Sequence, residues 1–198
     1  MKKFILFSLF VLCQAASLQA IEIEGRVAYF YPQDTRMREI YGKSGWVNYQ
    51  IEAAAPLSLC CECSSDWDAW TNFTYYQKKG RSNCLNNKTE VNNLAITFGV
   101  KRYFDTCTCF NPYLGLGVGF AHVNFHDHSP FVKEHINRWG TAILVKSGIK
   151  YDITCNIFLD LFLDYAYDWF TFKHRCCGST RNLSTGGINV GLGLGYQF

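Results

Sequence analysis

The stretch Leu159-Asp160-Leu161-Phe162-Leu163-Asp164-Tyr165-Ala166-Tyr167-Asp168-Trp169 decides the fold. Leu159, Leu161, Leu163, Tyr165, Tyr167 and Trp169 share one parity, while Asp160, Phe162, Asp164 and Asp168 share the other. Successive side chains of a strand point to opposite faces, so the stretch reads as a β-strand with one apolar and one acidic face. Three carboxylates on one sheet face need cations near them, and the preceding segment carries two. If the intervening turn centres on Cys155, Lys150 stands opposite Asp160 and Lys146 opposite Asp164. Buried charges left unpaired cost on the order of several kcal/mol each. The spacing therefore predicts two inward ion pairs, Lys150 with Asp160 and Lys146 with Asp164.

The same period of two recurs along the chain. Ile23, Val27, Tyr29 and Tyr31 oppose Glu22, Glu24, Arg26 and Phe30, and Val47, Tyr49 and Ile51 oppose Asn48, Gln50 and Glu52. Trp67, Phe73 and Tyr75 oppose Asp68, Trp70 and Asn72, and Leu94, Ile96, Phe98 and Val100 oppose Ala95, Thr97, Gly99 and Lys101. Leu114, Leu116, Val118 and Phe120 alternate with Gly115, Gly117, Gly119 and Ala121. Ile143, Val145, Ile149 and Tyr151 oppose Ala142, Lys146, Gly148 and Lys150, and the chain closes with Ile188, Val190, Leu192, Leu194, Tyr196 and Phe198 against Asn189, Gly191, Gly193 and Gly195. Counting the opening stretch, there are eight such runs, an even number.

A soluble β-sandwich also alternates, so the question is what the apolar faces touch. Three features point to lipid. The apolar faces end in aromatic residues, with Tyr29, Tyr31, Trp46, Tyr75, Trp139, Tyr165, Tyr167 and Trp169 at one end and Tyr103, Tyr113, Tyr151 and Tyr196 at the other, as membrane girdles do. The opposite faces mix both signs of charge with glycine, which suits a narrow polar lumen. Connections alternate between brief (59–66, 105–111, 152–156) and long (32–45, 77–90, 126–138, 174–184), the asymmetry of periplasmic turns and outer loops. The expected fold is all-β: an eight-stranded antiparallel up-and-down transmembrane β-barrel occupying residues 21–198.

Composition narrows the function classes. Of 198 residues, 48% are hydrophobic and the net charge is only +3, which excludes disorder and leaves no basic excess for nucleic-acid binding. Lys2 and Lys3, the apolar run from Phe4 to Cys13 and the small residues up to Ala20 have the order of a secretory signal peptide over residues 1–20, with cleavage after Ser17 as the alternative. Outside this segment no apolar run is long enough for a membrane helix, which needs about 20 residues.

The terminal strand, alternating through Tyr196 to Phe198, resembles the assembly signal of bacterial outer-membrane proteins. Architecture and length are similar to small barrels of the OmpA, OmpX and OmpW type. Phe30-Tyr31-Pro32, Ile40-Tyr41-Gly42, Tyr75-Tyr76-Gln77-Lys78-Lys79-Gly80, Phe131-Val132-Lys133-Glu134-His135 and Phe158 to Tyr165 resemble an outer-membrane β-barrel family of chlamydia-like bacteria. These resemblances imply an outer-membrane location, outer-membrane lipid as surroundings and the barrel assembly machinery as a partner.

Nine cysteines follow the signal: Cys60, Cys61, Cys63, Cys107, Cys109 and Cys155 in the brief turns, and Cys84, Cys176 and Cys177 in the outer loops. An exported protein meets an oxidising compartment, so disulfides are expected, with the connectivity open. An odd number leaves at least one thiol over. The chlamydia-like resemblance implies that such thiols crosslink to other cysteine-rich envelope proteins. Cys60-Cys61-x-Cys63 with Cys107-x-Cys109 does not have regular zinc spacing. His122, His126, His128 and His135 read as loop histidines more readily than as metal ligands, so neither a metal nor another cofactor is expected. An enzyme of the lipid A-modifying kind would need His122 or His174 beside Ser184 or Asp168, and no local motif fixes that geometry; catalysis is not expected. An eight-stranded interior holds side chains or one small ligand. The competing transport reading is therefore a narrow OmpW-like conduit for small hydrophobic solutes, set against a structural or surface-interaction role.

Overall fold

The computed structural model describes residues 21–42, 45–57, 67–81, 88–104, 106, 108–127, 135–173 and 180–198. The chain forms β1 (Glu22–Pro32), α1 (Thr35–Tyr41), β2 (Trp46–Pro56), β3 (Trp67–Arg81), β4 (Lys88–Tyr103), β5 (Phe110–Asp127), β6 (His135–Asp152), β7 (Ile157–Lys173), β8 (Thr180–Ser184) and β9 (Gly187–Gln197). From β1 to β8 each strand pairs antiparallel with the next. Both β8 and β9 pair with β7 in one continuous register, so together they make the eighth stave, and β9 pairs with β1 to close the barrel. The break between them falls at Thr185, whose backbone N–H donates to the Asp168 carbonyl at 3.1 Å.

The alternation in the sequence becomes the wall of the barrel. Along β1 every residue from Glu22 to Pro32 alternates between buried and exposed. Outward stand Val27, Ile51, Leu116, Phe120, Leu161 and Leu194, each more than half exposed to the surroundings. Inward stand Glu24, Arg26, Gln50, Asn72, Lys146, Asp160 and Asn189, all nearly inaccessible. Apolar outside and polar inside is the inverse of a water-soluble protein and is the arrangement of an outer-membrane barrel.

Three members of the expected aromatic girdles belong inside. Trp46 is 1% exposed and Tyr113 4%, and Tyr103 directs its hydroxyl to Glu22. The reason is parity: Trp46 shares a face with Asn48, Tyr103 with Lys101, and Tyr113 with Gly115. The remaining girdle residues face outward, among them Tyr29, Tyr31, Tyr75, Trp139, Trp169, Tyr151 and Tyr196.

The outer connections also differ from the expected irregular loops. Much of 77–90, 126–138 and 174–184 is paired strand, with ladders running up to Arg81↔Lys88, His126↔His135 and Lys173↔Thr180. These hairpins rise past the apolar belt. The loop between β1 and β2 carries α1, seated against β3: a Cβ on Gly80 would lie 2.4 Å from the Ile40 carbonyl oxygen, so only glycine admits the helix this closely.

Candidate functional site

The interior is filled in layers. Nearest the chain ends, Lys150 bonds Glu22, and Lys101 lies 3.6 Å from Glu22 and 3.3 Å from Glu52. Lys150 also rests over the Phe158 ring, and the Tyr103 and Tyr113 rings meet edge to face beside Lys101.

Arg26 occupies the middle layer, with no exposed side-chain surface. Its guanidinium lies 3.0 Å from Asp164, 3.1 Å from Asp160, 3.2 Å from Glu24 and 3.3 Å from Glu52. It also donates to the Tyr113 hydroxyl at 3.1 Å and covers the Phe162 ring at 3.6 Å from the centroid. Lys146 bonds Glu52 and lies above the Trp70 ring. A planar fork with several N–H donors is the group best suited to hold multiple carboxylates at once. Glycines on β5 and β9 make room for these large groups: a Cβ on Gly117 would lie 2.4 Å from the Trp70 ring, and one on Gly195 2.1 Å from Phe158.

Above the charges lies an amide layer. Asn48 donates to Asn189 and Asn72 to Gln50, both at 2.9 Å, while Asn93 and Thr185 donate to Asp168 at 2.9 and 3.2 Å. The outer mouth is closed by apolar side chains. Phe30 stacks on Tyr76 with centroids 5.1 Å apart and meets Trp46 edge-on, and Tyr41 of α1 packs on Trp46. Met37, Val91, Val123 and Phe170 complete this buried cluster.

Of the two expected ion pairs, one stands in the expected register, the β6–β7 ladder has no pair at Lys146, and the lysines of both have other partners. Lys150 faces Asp160 across the β6–β7 ladder. The carboxylates contacting Lys150 are nonetheless Glu22 and, at 3.9 Å, Asp152, the one bonded by Lys146 is Glu52, and Asp160 and Asp164 are held by Arg26. The physical cause is reach: in so narrow a lumen the far wall is as accessible to a lysine as the adjacent strand. Arg26 is the functional residue that pair-by-pair reading missed, and its signal was a lone arginine on the inward parity of β1.

Of the cysteines, Cys109 and Cys155 are exposed free thiols. Both lie at the rim bearing the chain ends, where Asp152 N–H donates to the Cys109 carbonyl. Cys60, Cys61, Cys63, Cys84, Cys107, Cys176 and Cys177 lie outside the described residues, as do His128, His174 and the signal segment. Among the described residues no cluster of three or more His, Cys, Asp or Glu is arranged to hold a metal. His122 bonds Asn137 and packs on Trp139 on the outer wall, whereas Asp168 points into the lumen, so these two are not brought together. Tyr196 and Phe198 pack edge to face on the outer wall, with the Phe198 N–H bonded to the Ile21 carbonyl at 3.0 Å.

Among solved structures, the chain is similar to Neisserial surface protein A, at 15% identity and a TM-score of 0.62, covering 91% of this chain and 99% of that one. It is also similar to OprG of Pseudomonas aeruginosa, at 15% identity and a TM-score of 0.58 over 90% and 95% of the two chains. The N-terminal β-barrel domain of Pseudomonas aeruginosa OprF gives 18% identity and a TM-score of 0.52 over 90% and 97%. At such identities the likeness speaks for the fold. No curated protein sequence matches. Residues 64–198, more than half of the chain, match the Opacity family porin protein, and the chain accordingly belongs to this family of outer-membrane β-barrels.

Proposed function

We propose that this barrel is a closed scaffold of the outer membrane whose role is structural or surface-interactive rather than that of an open pore. The filled lumen carries this reading. Arg26 and its carboxylates block the middle, and Phe30, Trp46, Tyr76 and Tyr41 block the outer mouth. An eight-stranded interior has space for side chains and little else. In this reading residues 1–20 are an export signal, the barrel assembly machinery inserts the mature chain, and the outer hairpins are its working surface. Following the resemblance to the chlamydia-like family, the cysteine-bearing turns crosslink to other cysteine-rich envelope proteins. Planar-bilayer recording of the refolded protein tests the closed lumen, with steady baseline current expected and discrete conductance steps against it. Non-reducing gels of native envelopes test the crosslinks: a ladder that collapses with reductant is expected, and a lone monomer band without reductant removes that part.

One observation favours a second reading, passage of small hydrophobic solutes. A groove of about 510 Å³ runs along the outer wall between Pro112, Leu114, Ile149, Leu161 and Leu163, with Ser147 in its lining. There the Ser147 N–H turns from the β7 backbone to the Asp164 carboxylate at 3.3 Å. Alkane uptake by vesicles containing the barrel, compared with empty vesicles, separates this reading from the first.

A further inference from the structure

The outward face of the β3–β4 hairpin changes character in order along its length. On β3, Phe73 and Tyr75 belong to the apolar belt and its aromatic edge, the Tyr75 hydroxyl donates to Gln77 at 3.4 Å, and Lys79 and Arg81 continue the same parity beyond it. On β4, Lys88 stands directly opposite Arg81, and Glu90 stands opposite Lys79 with its carboxylate bonded by Gln77. Lys79, Arg81 and Lys88 are all exposed. At the same height on other strands, the described outward positions are Asn124 and His126 on β5, Asn137 on β6 and Thr171 on β7. Arg38, on α1, is occupied with Tyr31 and Thr35. Among the strand residues whose side chains are described, the outward cations beyond the belt at this rim are thus concentrated on one hairpin.

Two features of this patch point to a phosphate. First, like charges directly opposite each other across a ladder repel, with Cβ atoms only about 5 Å apart, so the Arg81–Lys88 pair is unfavourable unless an anion lies between them. Second, the height is right. Lys79 is four residues beyond Tyr75, about 13 Å of strand, and strand tilt reduces this to roughly 10 Å along the membrane normal. A lysine or arginine stem reaching back toward the bilayer covers several ångströms more. That places Lys79 in the polar layer immediately above the outer hydrocarbon edge, about 5–7 Å thick on each side of a bilayer, while Arg81 and Lys88 stand about 5 Å higher and reach back toward the outer limit of that layer along their stems.

We propose that Lys79, Arg81 and Lys88 form a headgroup site for a phosphorylated glycolipid of the outer leaflet. Arg81 and Lys88 hold one phosphate between them, the arginine through two parallel N–H donors, and Lys79 supplies a further charge nearer the membrane. The acyl chains of the same lipid lie along Phe73, Ile96 and Tyr75, so the site fastens the rim of the barrel to its own leaflet. Lumen closure plays no part in this proposal.

The test uses the refolded mature chain in detergent micelles, with bisphosphorylated lipid A and the same lipid A stripped of phosphate as probes. Native mass spectrometry reads the bound fraction. The phosphorylated lipid should bind at least about tenfold more tightly, the preference should shrink as salt is raised, and the triple variant K79Q/R81Q/K88Q should bring the two lipids within about twofold. Arg102→Gln, at the opposite rim, should leave the preference intact. Heat-dependent gel mobility of every variant confirms that the barrel is folded. Equal binding of the two lipids, or an undiminished preference in the folded triple variant, overturns the proposal. So does displacement of the lipid by inorganic phosphate at equal concentration, which would mark a site for free anions instead.

Discussion

Replacing Arg26 by methionine keeps much of the side-chain volume over Phe162 and removes the one charge that four carboxylates share. Contacts of 3.0 to 3.3 Å to Asp164, Asp160, Glu24 and Glu52 lose their cation together, and the Tyr113 hydroxyl loses its donor. At an effective dielectric constant near 20, one such contact has a Coulomb energy of about 5 kcal/mol before desolvation is subtracted. Removing one partner of a buried pair typically costs about 3–5 kcal/mol, because the remaining charge stays buried. Lys146 lies in the same layer on Glu52 and limits the damage to that carboxylate. The expected loss for Arg26→Met is therefore about 3–5 kcal/mol, a large part of the roughly 5–15 kcal/mol by which a domain is stable. Urea titration of the barrel in vesicles, followed by tryptophan fluorescence and by the fraction of unheated protein that migrates as folded, measures it. Adding Asp160→Asn and Asp164→Asn to Arg26→Met should recover part of the loss, since the stranded anions are then gone. A cost below about 1 kcal/mol, with no recovery in the combined variant, would refute an electrostatic role for the lumen.

Further expectations follow from the same wall and core. Trp46→Ala should cost about 3–5 kcal/mol, as large-to-small changes in a packed core do, whereas the same change at a girdle tryptophan such as Trp169 should cost much less; equal costs would return Trp46 to the outer surface. Leu192, midway along β9 and outward-facing, should tolerate lysine poorly, at about 2–4 kcal/mol in vesicles; an unchanged urea midpoint would contradict a lipid-facing wall. Gly117→Leu should displace Trp70 from above Lys146, read as a change in tryptophan emission, and an unaltered spectrum in a folded variant would contradict the close approach seen at this glycine. After treatment with reductant to open envelope disulfides, an impermeant maleimide should label Cys109 and Cys155 in spheroplasts and spare them in intact cells, and labelling in intact cells would invert the assigned orientation.

Parity was the legible part. Wherever a strand alternated cleanly, as from Leu159 to Trp169, its two faces could be assigned from the sequence, and the turn at Cys155 even set the register of Lys150 against Asp160. Parity also explains the errors. Trp46, Tyr103 and Tyr113 sit at strand ends, where residue type suggests a membrane edge while position dictates the lumen, and position won. Helix α1 lay within a stretch read as loop. Its signal was present: Asp34 precedes it as a cap, and Met37, Ile40 and Tyr41 have the three-and-four spacing of one helical face. Seven residues are too few for that spacing to stand out, and the helix is held by Gly80 and by the aromatic cluster below it rather than by its own propensity.

What no strand-by-strand reading could supply is the way the charges are shared, and the dimensions of the barrel show why. Eight strands about 4.8 Å apart, tilted by about 40°, enclose a circle with a backbone-to-backbone diameter of roughly 16 Å. A lysine or arginine stem spans about a third of that distance, so side chains from opposite walls meet near the axis, and ladder neighbours have no privileged claim on one another. Arg26 of β1 accordingly bonds carboxylates of β7, two strands away, as well as Glu52 of the adjacent β2, and Lys146 of β6 bonds Glu52 from the opposite wall. Coupling should follow these contacts and not the ladder. A double-mutant cycle between Glu52→Gln and Asp164→Asn, two residues on strands that never pair, should show a coupling energy of about 0.5–3 kcal/mol through their common arginine. The same cycle built on the Arg26→Met background should collapse to additivity. If the coupling survives without Arg26, the carboxylates interact by some other route and the guanidinium is not the hub of the interior.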